Sequence, residues 1–267
     1  MNLFHAIILG LVEGLTEYLP VSSTGHLLIV QKFLGLKESE ASNAFAVCVQ
    51  AGAILAVLSI YFNRAKQITL GFFGKDKEGK KLGFNLIAAF LPVLILGCLF
   101  GKLIQEKLFG LYPILIAWIV GGVAILYFTK HPILQKKKKK EMKDLTVKDS
   151  FLIGFCQCFA MWPGTSRSLV TIAGGLIANL KKEAAIEFSF LLGGLTLFAA
   201  SIYTAIKHHA AMINEYDIKI MLVGLLVSWA AAWVSVKWMI GYLKKHNFNI
   251  FGYWRIIIAI SAFFILR

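Results

Sequence analysis

The feature that most constrains this chain is a set of long apolar runs. They cover residues 45–62 (FAVCVQAGAILAVLSIYF), 84–101 (FNLIAAFLPVLILGCLFG), 111–129 (LYPILIAWIVGGVAILYFT), 184–206, 218–241 and 250–266. Each approaches the ~20 apolar residues that a helix needs to cross a bilayer. Lipid offers no partner for backbone amides and carbonyls, so a crossing segment must be a helix or part of a closed barrel. Barrel strands are shorter and alternate in polarity, which these runs do not. Composition agrees: 58% of residues are hydrophobic and 16% charged, where a soluble domain carries roughly 25% charge. The expected fold is an all-α polytopic membrane protein with about six full spans.

The net charge of +14 sits mostly in segments between the apolar runs. The 63–82 segment holds Arg64, Lys66, Lys75, Lys77, Lys80 and Lys81 against Asp76 and Glu78. The 129–150 segment holds Lys130, Lys136 to Lys140, Lys143 and Lys148. Lys244 and Lys245 precede the last run, whereas Lys207 and Lys219 in 207–219 are balanced by Glu215 and Asp217. The positive-inside rule puts the three basic segments in the cytoplasm as loops. No basic face interleaved with aromatics points to nucleic acid. Cys48, Cys98, Cys156 and Cys158 lie in apolar runs without metal-site or redox spacing. The N-terminal MNLFHAIILG lacks the basic start of a cleaved signal peptide.

A repeat runs through the chain. Gly10-Leu-Val-Glu13 matches Gly154-Phe-Cys-Gln157, and each is followed by a proline (Pro20, Pro163) and a Ser/Thr-rich stretch. Glu40-Ala-Ser-Asn-Ala-Phe45 matches Glu183-Ala-Ala-Ile-Glu-Phe188 at nearly the same offset. The expected organisation is a single membrane domain over 1–267. The first repeat is 1–129, the Lys-rich cytoplasmic linker 130–148 and the second repeat 149–267. The charge distribution makes the two halves inverted in the membrane. Residues 3–19 and 151–162 are too short to span, and proline ends each. They read as the first arms of two re-entrant helix–loop–helix segments, with loops at 20–26 and 163–168 and second arms at 27–35 and 168–180. Inverted repeats build their site near the midplane from such broken helices.

Chemistry-bearing residues concentrate in those loops. Glu13 and Glu17 are four apart on one helical face, and an ionisable residue inside a membrane is by default a functional group. The pair suits a divalent cation, a proton relay or a general base; Mg²⁺ takes few carboxylates and completes its shell with water and phosphate. Ser22, Ser23 and Thr24 precede a helix start, which caps the helix and offers an anion site. His26 follows within a turn and is a candidate nucleophile, or base to a serine. In the second half, Arg167 lies in PGTSRS, a setting for bidentate phosphate recognition. Ser166, Ser168 and Thr171 would complete that cradle. Gln157 replaces the acid at the repeat position of Glu13. His208, His209, His131 and His246 are placed at membrane edges or in loops, and His5 has no evident partner.

The motifs EGLTEYLPVSSTGH at 13–26 and PGTSRS at 163–168 resemble the two signatures of the undecaprenyl-diphosphate phosphatase, or bacitracin-resistance, family. The resemblance extends to FAVCVQAGAILAV at 45–57 and FSFLL at 188–192. It implies hydrolysis of undecaprenyl diphosphate to undecaprenyl phosphate, the lipid carrier of cell-wall synthesis, in the bacterial inner membrane. It further implies a site opening to the periplasm, dependence on Mg²⁺ or Ca²⁺, a transporter-like fold with inverted repeats, and possible homodimers. By motif, Glu13 and Glu17 are the metal or acid/base carboxylates and Ser23 and His26 the nucleophile candidates. Ser22 lines the site, and Ser166, Arg167 and Thr171 bind diphosphate. The chain departs from the family pattern at Leu169, where a glycine is usual, and at Gly193-Gly194-Leu195, where a proline ends the usual triplet.

Two rivals remain at this stage. A polyprenyl-phosphate flippase would suit inverted repeats and midplane charge, but has no need of a nucleophile. The other large lipid-phosphatase superfamily needs a histidine soon after its Ser-Arg pair, and none follows Arg167 before His208.

Overall fold

The computed structural model describes residues 1–36, 40–131, 139–215 and 217–266, leaving the side chains of 40–44, 205 and 207–215 undescribed. Among the described residues it is all helical. The α-helices are α1 (Leu3–Thr16), α2 (Ser23–Phe33), α3 (Glu40–Ile60), α4 (Phe62–Phe72), α5 (Lys77–Leu108), α6 (Leu111–Lys130), α7 (Val147–Cys158), α8 (Arg167–Ile177), α9 (Lys182–Glu215), α10 (Ile218–Lys245) and α11 (Asn249–Ile265).

Four helices are long and apolar enough to cross a bilayer: α5, α6, α9 over Lys182–Thr204, and α10. A fifth crossing exists if α3 and α4 count as one span bent by 83°. The sixth expected run, 250–266, forms α11, which at 17 residues sits at the short limit of a spanning helix. Large apolar side chains face outward along the long helices, among them Leu99 on α5, Val120 on α6, Leu226 on α10 and Phe264 on α11. A surface of that kind is stable only against lipid or another apolar partner.

Two expected loops are largely helical. The 63–82 segment contains α4 and the first turn of α5, separated by residues 73–76. Its charge pattern hid two helix signals: Asp76 caps α5 by accepting from the Gly79 amide at 2.7 Å, and Glu78 lies in the first turn. The glycines Gly71 and Gly79 let α4 and α5 touch backbone to backbone. In the 207–219 segment α9 runs to Glu215 and α10 begins at Ile218, capped by Asp217. The charge balance of that segment therefore decorates helix ends, and the side chains of His208 and His209 lie outside the described residues. In the linker, residues 132–138, with Lys136 to Lys138, also lie outside them. From Lys140 onward the chain is pinned. The Lys140 amide donates to Asn179 O and its carbonyl accepts from the Lys181 amide, both at 2.8 Å.

The two short arms pack on long helices through small residues. On α1, Gly10 and Gly14 lie against the Gly224–Ser228–Ala232 face of α10. On α7, Gly154 lies against Ala89 of α5. Small residues four apart let helices approach closely where lipid supplies no hydrophobic drive. The backbone also recurs at a spacing of 144 residues: α1 and α7 start at Leu3 and Val147, and α2 and α8 span Ser23–Phe33 and Arg167–Ile177. The left-handed residues Ser22 (φ 69°) and Gly35 (φ 65°) are matched by Ser166 (φ 77°) and Asn179 (φ 69°).

Candidate functional site

The site forms where the turn between α1 and α2 meets the turn between α7 and α8. α1 ends at Thr16, and the chain turns through Glu17 to Ser22 before α2 begins. α7 gives way to a 3₁₀ turn at Phe159–Met161, and the chain turns through Pro163 and Gly164 before α8. Each turn hands over to its second arm through a serine with positive φ, a conformation that costs a non-glycine residue energy and is held only where surroundings enforce it. Ser166 caps α8, its Oγ accepting from the Leu169 amide at 3.4 Å. Ser22 makes no such side-chain cap.

Glu17 is the junction. One carboxylate oxygen accepts from Arg167 Nη2 at 3.0 Å. The other accepts a hydrogen bond from Ser23 Oγ. The Glu17 and Arg167 side chains are 7% and 10% exposed, which makes this a buried ion pair rather than a surface one. Arg167 Nη1 donates to the Ser189 carbonyl on α9 at 3.1 Å, and its guanidinium lies 5.1 Å over the Tyr18 ring. Arg167 Nε is buried with no partner among the described residues. The guanidinium presses on α9 where Gly193 has no side chain; a Cβ there would overlap it.

The remaining predicted residues divide. Thr171 Oγ1 donates to the Arg167 carbonyl at 2.8 Å and shares a 2.6 Å hydrogen bond with Ser189 Oγ. Ser168 Oγ donates to Leu19 O at 3.0 Å and lies 3.0 Å from Ser166 Oγ, so it ties the second turn to the first. Glu13 is buried, one turn before Glu17, and its carboxylate has no hydrogen bond or ion pair among the described residues. Ser22 is buried and Thr24 exposed. Gln157 stands apart from the ion pair: its Oε1 accepts from Thr196 at 3.2 Å, two turns along α9 from Ser189, and its Nε2 is buried without a partner among the described residues.

His26 is not brought to Ser23. Its Nδ1 is 2.8 Å from Ser22 O, and its Nε2 accepts from Trp254 Nε1 at 3.0 Å. The ring also packs on Trp118, 4.8 Å between centroids. The Nδ1–H tautomer fits both bonds and leaves neither nitrogen free.

Sequence reasoning missed Tyr18, Ser189, Gly193, Trp254 and Arg255. Tyr18 and Ser189 lay inside stretches already singled out for other residues. Arg255 had a plain signal, a cation in the middle of an apolar run. Gly193 stood out only as a departure from the family pattern, and Trp254 becomes visible only when α11 is folded against the turns.

Among the described residues no cluster of three or more His, Cys, Asp or Glu side chains gathers in metal-binding geometry. Glu13 and Glu17 carry oxygen donors of the kind a hard cation takes; Glu13 makes no hydrogen bond or ion pair among the described residues, whereas both Glu17 oxygens are already bonded, to Arg167 and Ser23.

Many known proteins are similar to this chain in sequence. The bacitracin resistance protein BacA family matches residues 6–261. The chain is 43% identical over 256 residues to undecaprenyl-diphosphatase 2 of Rhodospirillum rubrum, covering 95% of this chain and 91% of that one. It is 40% identical over 254 residues to undecaprenyl-diphosphatase 1 of Chromobacterium violaceum, covering 95% and 93%. With the undecaprenyl-diphosphatase of Polaromonas sp. the identity is 38% over 256 residues, covering 95% and 91%.

Proposed function

The chain belongs to the bacitracin resistance protein BacA family, and from that premise we propose how its own residues carry the reaction. The protein is a membrane-embedded phosphatase that hydrolyses undecaprenyl diphosphate to undecaprenyl phosphate and inorganic phosphate. This returns the lipid carrier to cell-wall synthesis and accounts for resistance to bacitracin. One observation carries the residue-level reading: Glu17 holds Ser23 of the first turn by one oxygen and Arg167 of the second turn by the other.

In this reading Ser23 Oγ attacks the terminal phosphorus while Glu17 accepts its proton. The bond from that phosphorus to the bridging oxygen breaks, and undecaprenyl phosphate leaves. The Ser23 proton leaves Glu17 with undecaprenyl phosphate, and the regenerated carboxylate then takes a proton from the water that hydrolyses the phosphoserine, returning it to Ser23 Oγ as inorganic phosphate departs. A carboxylate already bonded to the hydroxyl is the arrangement an activated nucleophile needs. Arg167 receives the phosphoryl charge: its unpartnered buried Nε gains an acceptor, and its fork suits phosphate geometry. The Ser166, Ser168 and Thr171 hydroxyls and the start of α8 set the second turn around it. Gln157, bonded to Thr196 on α9, shapes the arm. His26, held by Ser22 and Trp254, fixes the start of α2. Glu13 and Glu17 would hold Mg²⁺ or Ca²⁺, which when bound supplies positive charge against the diphosphate.

The substrate tail has a place beside the turns. An apolar cavity of about 440 Å³ is lined by Pro20 of the first turn, Trp162 and Thr165 of the second, Leu169 on α8, and Ala124 and Phe128 on α6. A prenyl chain lying there keeps its diphosphate end at the turns.

The two halves are inverted repeats in the bacterial inner membrane, with the site opening to the periplasm and the Lys-rich linker in the cytoplasm. The basic 63–82 and 129–150 segments support the orientation, and the 144-residue recurrence of helix starts and left-handed residues supports the repeat. So does the exchange of partners, α1 with α10 and α7 with α5.

The test is phosphate release from undecaprenyl diphosphate by purified protein in detergent, with Mg²⁺, with EDTA, and beside Arg167→Ala. Metal-dependent turnover that collapses in the variant is expected. Folded protein that binds the lipid without turning it over would overturn the reading in favour of a carrier.

A further inference from the structure

Arg255 on α11 is completely buried. A guanidinium has five N–H groups, and here all find acceptors. Nε donates to Trp118 O at 3.3 Å. Nη1 donates to Pro20 O at 3.4 Å and Thr165 O at 3.2 Å. Nη2 donates to Ala117 O and Gly164 O, both at 2.8 Å. Every acceptor is a backbone carbonyl, and no carboxylate pairs with Arg255 among the described residues.

The acceptors identify the role. Pro20 belongs to the first turn, three residues before Ser23. Gly164 and Thr165 belong to the second, the latter two residues before Arg167. Irregular backbone inside a membrane must be satisfied by protein or by water in a cavity, and one side chain does so for both turns at once. It is anchored on α6 through Ala117 and Trp118. The fit depends on Gly121, where a Cβ would overlap the guanidinium.

We propose that Arg255 is a positioning residue for the phosphatase reaction. It clamps the Pro20 turn to the Gly164–Thr165 turn and thereby sets Ser23 and Glu17 against Arg167. With its N–H groups spent on carbonyls it does not touch substrate. Lysine cannot replace it, because three donors on one nitrogen do not reach acceptors spread over a planar fork. The kinetic part of this inference rests on the phosphatase reading; the clamp itself does not.

The test uses the full-length protein in detergent with Arg255→Lys and, separately, Gly121→Ala, which pushes the guanidinium from the α6 side and leaves Arg255 in place. Three quantities are read: kcat and KM for undecaprenyl diphosphate, the thermal midpoint, and amide hydrogen exchange at Val21–Thr24 and Thr165–Ser168. The expected result for Arg255→Lys is a kcat lower by about 100-fold, the scale of a ~1 Å misplacement, with KM little changed. Exchange accelerates at both turns together, in protein that still melts cooperatively. A residue that only stabilises the fold would lower the midpoint and leave kcat per folded molecule unchanged, which overturns the proposal. Exchange at the two turns as slow as in the parent overturns it as well. If Arg255→Lys does not fold, Gly121→Ala decides by the same criteria. If the parent itself shows no turnover, the phosphatase reading has failed, and the exchange measurement still decides whether the clamp exists.

Discussion

Arg167 Nη2 and Glu17 Oε1 stand 3.0 Å apart across 150 residues of sequence, and this buried pair joins the turn between α1 and α2 to the turn between α7 and α8. Removing one partner of a buried pair leaves an uncompensated charge and costs about 3–5 kcal/mol, whereas replacing both by neutral groups of similar size costs far less. Glu17→Gln and Arg167→Met should therefore each destabilise the protein more than the double variant does. The double-variant cycle in thermal midpoints checks this. All three should be inactive, with kcat for Glu17→Gln down by about 10²–10⁴-fold, the scale of general-base catalysis. A double variant as unstable as the sum of the singles would mean that the contact contributes no coupling.

Adjacent glycines on α9 give a sharper comparison. A Cβ at Gly193 would overlap the Arg167 guanidinium, while one at Gly194 meets no atom within 4 Å. Gly193→Ala should lower kcat by about 100-fold by displacing Arg167. Gly194→Ala should keep full turnover and gain up to about 1 kcal/mol of helix stability. Phosphate-release kinetics on the two variants side by side check it; equal activity would mean that Arg167 moves aside without consequence.

The two nucleophile candidates of the first motif occupy different surroundings. Ser23 Oγ is bonded to Glu17; His26 is fastened at both nitrogens. Rapid acid quench during turnover should trap label on serine, since phosphoserine survives acid and phosphohistidine does not. Ser23→Ala should abolish both label and turnover. Trp254→Phe, which frees His26 Nε2, should keep turnover within an order of magnitude. Label that is lost in acid but stable in base would place the attack on His26.

Much of this was legible in the sequence because membrane solvation leaves few options. The apolar runs declared a helical membrane protein, and the two prolines with their Ser/Thr-rich neighbours marked both turns. The charged segments misled for a physical reason. Lys and Arg at membrane edges look alike on a loop or at a helix end, so α4 and the end of α9 read as loops. Within the site, the motif supplied Glu17, Ser23 and Arg167 but not their contacts. That Ser23 meets Glu17 instead of His26 depends on the turn through Pro20, and His26 is drawn away by Trp254, more than two hundred residues distant. Gly193 was visible only as a departure from a pattern until Arg167 was seen lying against it.

The last prediction concerns the junction of the linker with the second half. Thr146 and Asp149 form a capping box at the start of α7, with the Asp149 amide donating to Thr146 Oγ1 at 3.2 Å and the Thr146 amide to Asp149 Oδ2 at 3.0 Å. Lys140 Nζ adds hydrogen bonds of 2.9 and 2.8 Å to the same carboxylate. Partial burial pushes the Asp149 carboxyl up, but the Lys140 and Thr146 bonds overcome it and hold the group below its usual value. A carboxyl whose folded value is depressed binds protons more readily when unfolded. Its stabilisation is therefore present above the unfolded value, about 3.9 for Asp, and is lost as pH falls through the lower folded one. The thermal midpoint should fall more steeply on acidification for the parent than for Asp149→Asn, and the two curves should converge at low pH. Lys140→Met should remove part of the difference and leave the Thr146 contribution. Parallel curves for parent and Asp149→Asn through this range would show that the box and its lysine do not couple to folding.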